Sequence, residues 1–71
     1  MERPRRIQVA RAVSSELAKQ GVSPERLSEL ISVPMSALRP KLSGEADMDL
    51  EDLDAMAVAL GVSVVSFLTA G

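Results

Sequence analysis

The stretch Val22-Ser-Pro-Glu-Arg-Leu-Ser-Glu-Leu-Ile-Ser-Val-Pro-Met-Ser-Ala-Leu-Arg-Pro-Lys-Leu-Ser-Gly44 predicts two short helices joined by a tight turn. Ser23 offers a cap oxygen to the free N–H groups of the first helix. Pro24 stands at the first helical position, where no N–H is needed, and Glu25 places a carboxylate at the positive end of the helix dipole. The break falls at Ser32 and Val33, because Pro34 biases the residue before it away from helical angles; Pro34 can then open the second helix. Leu27, Leu30 and Ile31 form the expected inward stripe of the first helix, and Leu38 and Leu42 anchor the second. With Val33, these residues let the two helices cross over a shared apolar contact, leaving the outer face of the second helix polar.

Working outward, a helix is predicted from about Arg5 to Gln20. Pro4 is tolerated ahead of its first turn, Gly21 is its stop signal, and Ala10, Val13 and Leu17 form its inner stripe. Beyond the central pair, Ser43-Gly44-Glu45-Ala46-Asp47 is polar and breaks the periodicity, so it reads as a loop. Asp49 then caps a helix with Asp52 three residues on, an approximate capping box. Leu50, Leu53, Ala57 and Leu60 recur at helical spacing up to Gly61. Ser63 can cap a last short helix holding Val65, Phe67 and Leu68, although Val64-Val65-Ser66-Phe67 would also suit a strand. The result is an all-α chain of five helical segments.

Size and composition limit what such a chain can do. Its 71 residues leave room for one hydrophobic core, so residues 1–71 are expected to form a single domain with residues 1–6 as a basic N-terminal arm. The chain has 0 Cys and 0 His, which removes disulfides and the usual soft metal ligands and leaves helix packing as the source of stability. The acids at Asp49, Glu51, Asp52 and Asp54 suit a helix N-terminus better than a metal ion. No cofactor and no metal is expected. No catalysis is expected either, since the remaining acid or base candidates are surface-like carboxylates and Lys, and no phosphate-cradling Gly loop is present. The most apolar run, Ala55 to Leu68, is interrupted by Gly61, Ser63 and Ser66 and is too short to span a membrane. The basic start is not followed by the apolar stretch of a signal peptide. A cytoplasmic protein is expected.

Charge is divided unevenly along the chain. From Met1 to Lys41 there are 8 basic and 4 acidic residues, a net +4; from Leu42 to Gly71 there are 6 acids and no base, a net −6. The first half can face phosphates, while the second would be repelled by them and should point away.

Leu27 to Ile31, Val33 to Leu38, Leu42-Ser43-Gly44, Leu60-Gly61-Val62-Ser63 and Phe67-Leu68, in this order and spacing, resemble the Cro and lambda-repressor family of helix-turn-helix proteins. The resemblance covers nearly the whole chain. It implies a compact five-helix fold whose third helix enters the major groove of double-stranded DNA, and a small bacterial or phage transcriptional regulator. It further implies a homodimer on an inverted-repeat operator. The positions that would reach base edges fall on Met35, Ser36, Arg39 and Pro40, with Lys41 as a further contact. Arg39 can form a bidentate pair with guanine O6 and N7, Ser36 can reach a base or a phosphate, and Met35 offers only apolar contact. Ser23, Arg26 and the arm residues Arg3, Arg5 and Arg6 are the expected backbone contacts.

The sequence departs from the family pattern at Pro24, where a phosphate-gripping Gln is usual, and at Ser32, where Gly is usual. Pro40 inside the third helix removes a backbone hydrogen bond and predicts a short or kinked recognition helix. Of the methionines, Met48 and Met56 read as packing residues and Met35 as exposed. Val64, Val65, Phe67 and Leu68 close the chain on an apolar note and are the expected dimer seam. The competing expectation is a protein-interaction module of antitoxin or anti-repressor type, in which the apolar end and the acidic fourth helix engage a protein partner instead of DNA.

Overall fold

A computed structural model describes residues 5–68. It contains five helices: α1 (Arg5–Gln20), α2 (Pro24–Ile31), α3 (Met35–Ser43), α4 (Leu50–Leu60) and α5 (Val65–Leu68). There is no strand among the described residues, so Val65 to Leu68 take the helical alternative. Helix α1 packs against α3, α4 and α5, and α2 packs against α3 and α4. The core is drawn from every helix: Val9, Val13 and Leu17 of α1, Leu27 of α2, Leu38 of α3, Leu53, Met56, Ala57 and Leu60 of α4, and Phe67 of α5. No helix among the described residues is long and apolar enough to cross a membrane.

Local chemistry sets most of the helix ends. Ser23 Oγ accepts from Arg26 N at 3.1 Å, with Pro24 beginning the helix behind it. Asp49 and Asp52 form a full capping box: Asp52 N donates to Asp49 Oδ1 at 2.8 Å, and Asp49 N donates to Asp52 Oδ2 at 3.3 Å. Reciprocal capping of this kind satisfies two backbone donors that the helix itself leaves unpaired. Pro34 is the N-cap of α3 rather than its first residue, and its carbonyl accepts from Leu38 N at 3.0 Å.

Two expectations about the core need correction. Leu30 is 44% exposed and Leu50 is 67% exposed. Leu30 lies on the flank of the α2 stripe, where Leu27 already takes the buried position. Leu50 is the first residue of α4, one turn ahead of Leu53, and lies on the rim of a surface cleft with Met48, Leu53 and Leu68. Met56 is buried and Met48 packs against the core, as expected.

Candidate nucleic-acid interface

The connection between α2 and α3 is Ser32-Val33-Pro34, and its geometry depends on one residue. Ser32 caps α2 in the left-handed conformation, φ 58° and ψ 41°, while Val33 N donates back to Ser28 O at 3.0 Å. A non-glycine residue in this region is strained by contact between its Cβ and the backbone. A glycine at this position, as the family resemblance leads one to expect, would carry no such strain. The turn releases the chain directly into α3 and sets the angle at which that helix is presented.

Helix α3 runs unbroken through nine residues with Pro40 inside it. The helix is short, as expected, and Pro40 lies within it rather than ending it. Pro40 has no N–H to give the Ser36 carbonyl, but its own carbonyl gathers donors from the following turn: Glu45 N at 2.9 Å, Ala46 N at 3.1 Å and Ser43 Oγ at 3.0 Å. Gly44 then ends the helix at φ 87°. The left-handed backbone favours glycine here, and a Cβ would come within 3.2 Å of Ile7 Cγ1, a tight contact that the isoleucine would have to relieve. The Gly44 carbonyl accepts from Arg6 Nε at 3.0 Å, which ties the end of α3 to the first turn of α1.

These contacts divide α3 into two faces. Leu38 is completely buried, and Met35 and Leu42 pack against the core from the same side. Ser36, Ala37, Arg39 and Ser43 are exposed, and Pro40 is half-buried. Arg39 makes no hydrogen bond or ion pair with another described residue, so its guanidinium is open to a ligand. Arg39, Met35, Leu42 and Ser43 line a shallow depression completed by Pro24 and Glu25 at the start of α2. The first turn of α2 and the outer face of α3 therefore adjoin.

The residues named from sequence fall into separate places. Ser36 and Arg39 lie on the exposed face, whereas Met35 is turned to the core side and is not the exposed methionine expected. Ser23 is spent on its helix cap, and Arg26 forms an exposed ion pair with Glu29 at 3.2 Å. Arg6 is bound to Gly44, as described above. Arg5 begins α1, its side chain is outside the described set, and Arg3 lies outside the described residues.

Lys41 differs from Arg39 in having a partner within the chain. Its Nζ lies 2.7 Å from Asp52 Oδ2, with side chains 24% and 21% exposed, so it reaches inward to the capping box of α4. Partial burial pushes the Asp52 carboxyl up. The bonded Lys41 ammonium and the Asp49 N–H outweigh that, holding the carboxyl below the ordinary aspartate value.

The expected seam is likewise divided. Phe67 is 2% exposed and fills the core of its own chain, because a 71-residue protein with a single aromatic ring uses it internally. Val64 and Leu68 pack against that core. Val65 is exposed, as is Val58 of α4, which the sequence stripe did not single out. Ala37 and Ser43 were also missed on the outer face of α3. Helical periodicity measured from Leu38 and Leu42 contains the signal for both.

No protein-family model matches this chain, and no curated protein matches it. Among solved structures, that of the clp gene regulator ClgR from C. glutamicum is similar, with 30% sequence identity and a TM-score of 0.89. The similarity covers 94% of this chain and 87% of that one.

Proposed function

We propose, from the premise that this chain belongs to the family of helix-turn-helix gene regulators that includes ClgR, that it binds double-stranded DNA selectively and controls transcription as a small repressor. One observation carries this reading: the outer face of α3 presents to solvent Ser36 and an Arg39 that has no partner among the described residues, beside the capped first turn of α2. A major groove admits a helix of this size, and Arg39 has the planar donor pair that matches guanine O6 and N7. With Arg26 N and Leu27 N already given to Ser23, the N–H of Glu25 is the first-turn donor of α2 left for a phosphate, in place of the side-chain grip that Pro24 lacks. Repression then follows from occlusion of a promoter, in the manner of Cro-like proteins.

Dimerisation through the α4 and α5 end fits the same function, because two copies related by a two-fold axis read an inverted repeat one helical turn apart. Exposed Val58 and Val65 support this arrangement. Six acids and no base lie beyond Lys41, which favours an orientation that keeps this part of the chain away from phosphates.

The test is selection of bound duplexes from a random pool, followed by titration of the selected and scrambled duplexes across a range of salt. Selective binding that weakens steeply with salt is expected. Equal affinity for both duplexes would remove the readout by α3, and no binding at low salt would remove the DNA partner.

A further inference from the structure

We propose that Asp52 is a positioning residue that withholds Lys41 from the phosphates of bound DNA, so that the recognition helix engages duplex with one cation fewer than its sequence carries. The inference rests on the DNA-binding function proposed above. Lys41 is the basic residue in the last turn of α3, where a free ammonium would add to the sequence-independent attraction for a polyanion. Its 2.7 Å contact to Asp52 instead crosses from α3 to α4.

Three observations distinguish this pair from the others. The Lys19–Glu16 contact is long, 3.9 Å, and its lysine side chain is 75% exposed. The Arg26–Glu29 pair is exposed on both sides, 63% and 69%, and lies within one helix. Exposed pairs of this kind are weak and exchange readily with a competing anion. The Lys41–Asp52 pair is shielded on both sides, and the carboxylate is held in place before the lysine arrives because Asp52 Oδ2 also accepts from Asp49 N. A phosphate competing for Lys41 must therefore displace a fixed and partly desolvated carboxylate, leaving that charge without its partner.

The chemistry gives Asp52 the role of an internal substitute for phosphate. Arg39, two positions earlier, has no such restraint among the described residues and remains available for base contact. The helix thus separates a cation used to hold the fold from a cation available to DNA, although both are basic residues of one short segment.

The experiment measures binding to a mixed-sequence duplex as a function of salt for four proteins: wild type, Lys41→Ala, Asp52→Asn and the double variant. Asn preserves an oxygen for the Asp49 N–H while removing the charge, and circular dichroism verifies that each protein is folded. Wild type and Lys41→Ala are expected to share one slope of log affinity against log salt. Asp52→Asn should steepen it by about 0.9, the value of one added phosphate contact, and the double variant should return it to the wild-type slope.

A shallower slope for Lys41→Ala would overturn the proposal, since Lys41 would already contact phosphate. An unchanged slope in folded Asp52→Asn would overturn it as well. If Asp52→Asn does not fold, the comparison of Lys41→Ala with wild type still decides. Absence of duplex binding by the wild type would instead defeat the DNA-binding function, and this inference with it.

Discussion

The two faces of α3 differ in what they owe to the rest of the molecule. The inner face is committed: Leu38 is fully buried, Met35 and Leu42 pack on the core, and Lys41 is bound to Asp52. The outer face is uncommitted, with Ser36, Ala37 and Arg39 exposed and no described partner for the Arg39 guanidinium. A helix of nine residues is too short to be stable alone in water. Its free face therefore has a defined shape only because the other face and both ends are restrained. Changes on the inner face should act on stability, and changes on the outer face on recognition.

Leu38→Ala gives the severest test of this division. Truncating a fully buried leucine should cost about 2–5 kcal/mol, read as a lower urea midpoint with the slope preserved. For a protein of this size that is a large share of the total stability. A small loss would mean that α3 is not anchored through this side chain.

Arg39→Ala is the complementary test on the outer face. The stability change should stay within about 0.5 kcal/mol, while discrimination between the selected duplex and a single-base variant falls by about 1–3 kcal/mol. Competition binding measures the second quantity and urea unfolding the first. A variant that loses stability but keeps discrimination would reverse the assignment of the two faces.

Acid provides a milder probe of the inner face. The Asp52 carboxyl titrates below an ordinary aspartate when folded, so between the two values the unfolded chain binds more protons than the folded one. Its stabilising contribution is fully present above the unfolded-state pKa near about 4. It is lost as pH falls through the lower folded value. Unfolding curves collected from neutral to acidic pH should therefore fall less steeply for Asp52→Asn than for wild type. Parallel curves would show that the pair contributes no acid sensitivity.

The smallest effect is expected in the turn that joins α2 to α3 and belongs to neither face. Ser32→Gly relieves a left-handed residue at φ 58° but also frees the unfolded chain, so the net gain should be about 1 kcal/mol or less. Thermal melting measures it. An unchanged duplex affinity would show that the strain at Ser32 plays no part in presenting α3.

Much of this architecture is legible in the sequence because helix ends depend on near neighbours. Ser23-Pro24, Asp49 with Asp52, and Gly21, Gly44 and Gly61 mark ends that the structure places at those residues. The outer face of α3 is similarly readable, because Leu38 and Leu42 fix its phase. The partners of Lys41 and Arg6 are not. Lys41 and Asp52 belong to different helices, and Arg6 meets Gly44 across a sequence separation of 38, so no local spacing signals either contact. Phe67 was misassigned for a related reason: an apolar residue near a chain end looks alike in sequence whether it fills its own core or a neighbour's.

Pro40 has an effect beyond the helix it occupies. Because it cannot donate, the carbonyl of Ser36 lacks the donor that a regular helix supplies four residues on. Ser36 itself is exposed, and an acceptor without its helical donor needs another partner, from water or from a ligand. Any duplex covering this face must supply a donor to it or retain a water there. Within the major groove the base donors are the amino groups of adenine and cytosine. Under the proposed function, a proline that offers no polar side chain would thereby shift one element of reading from the side chains to the main chain.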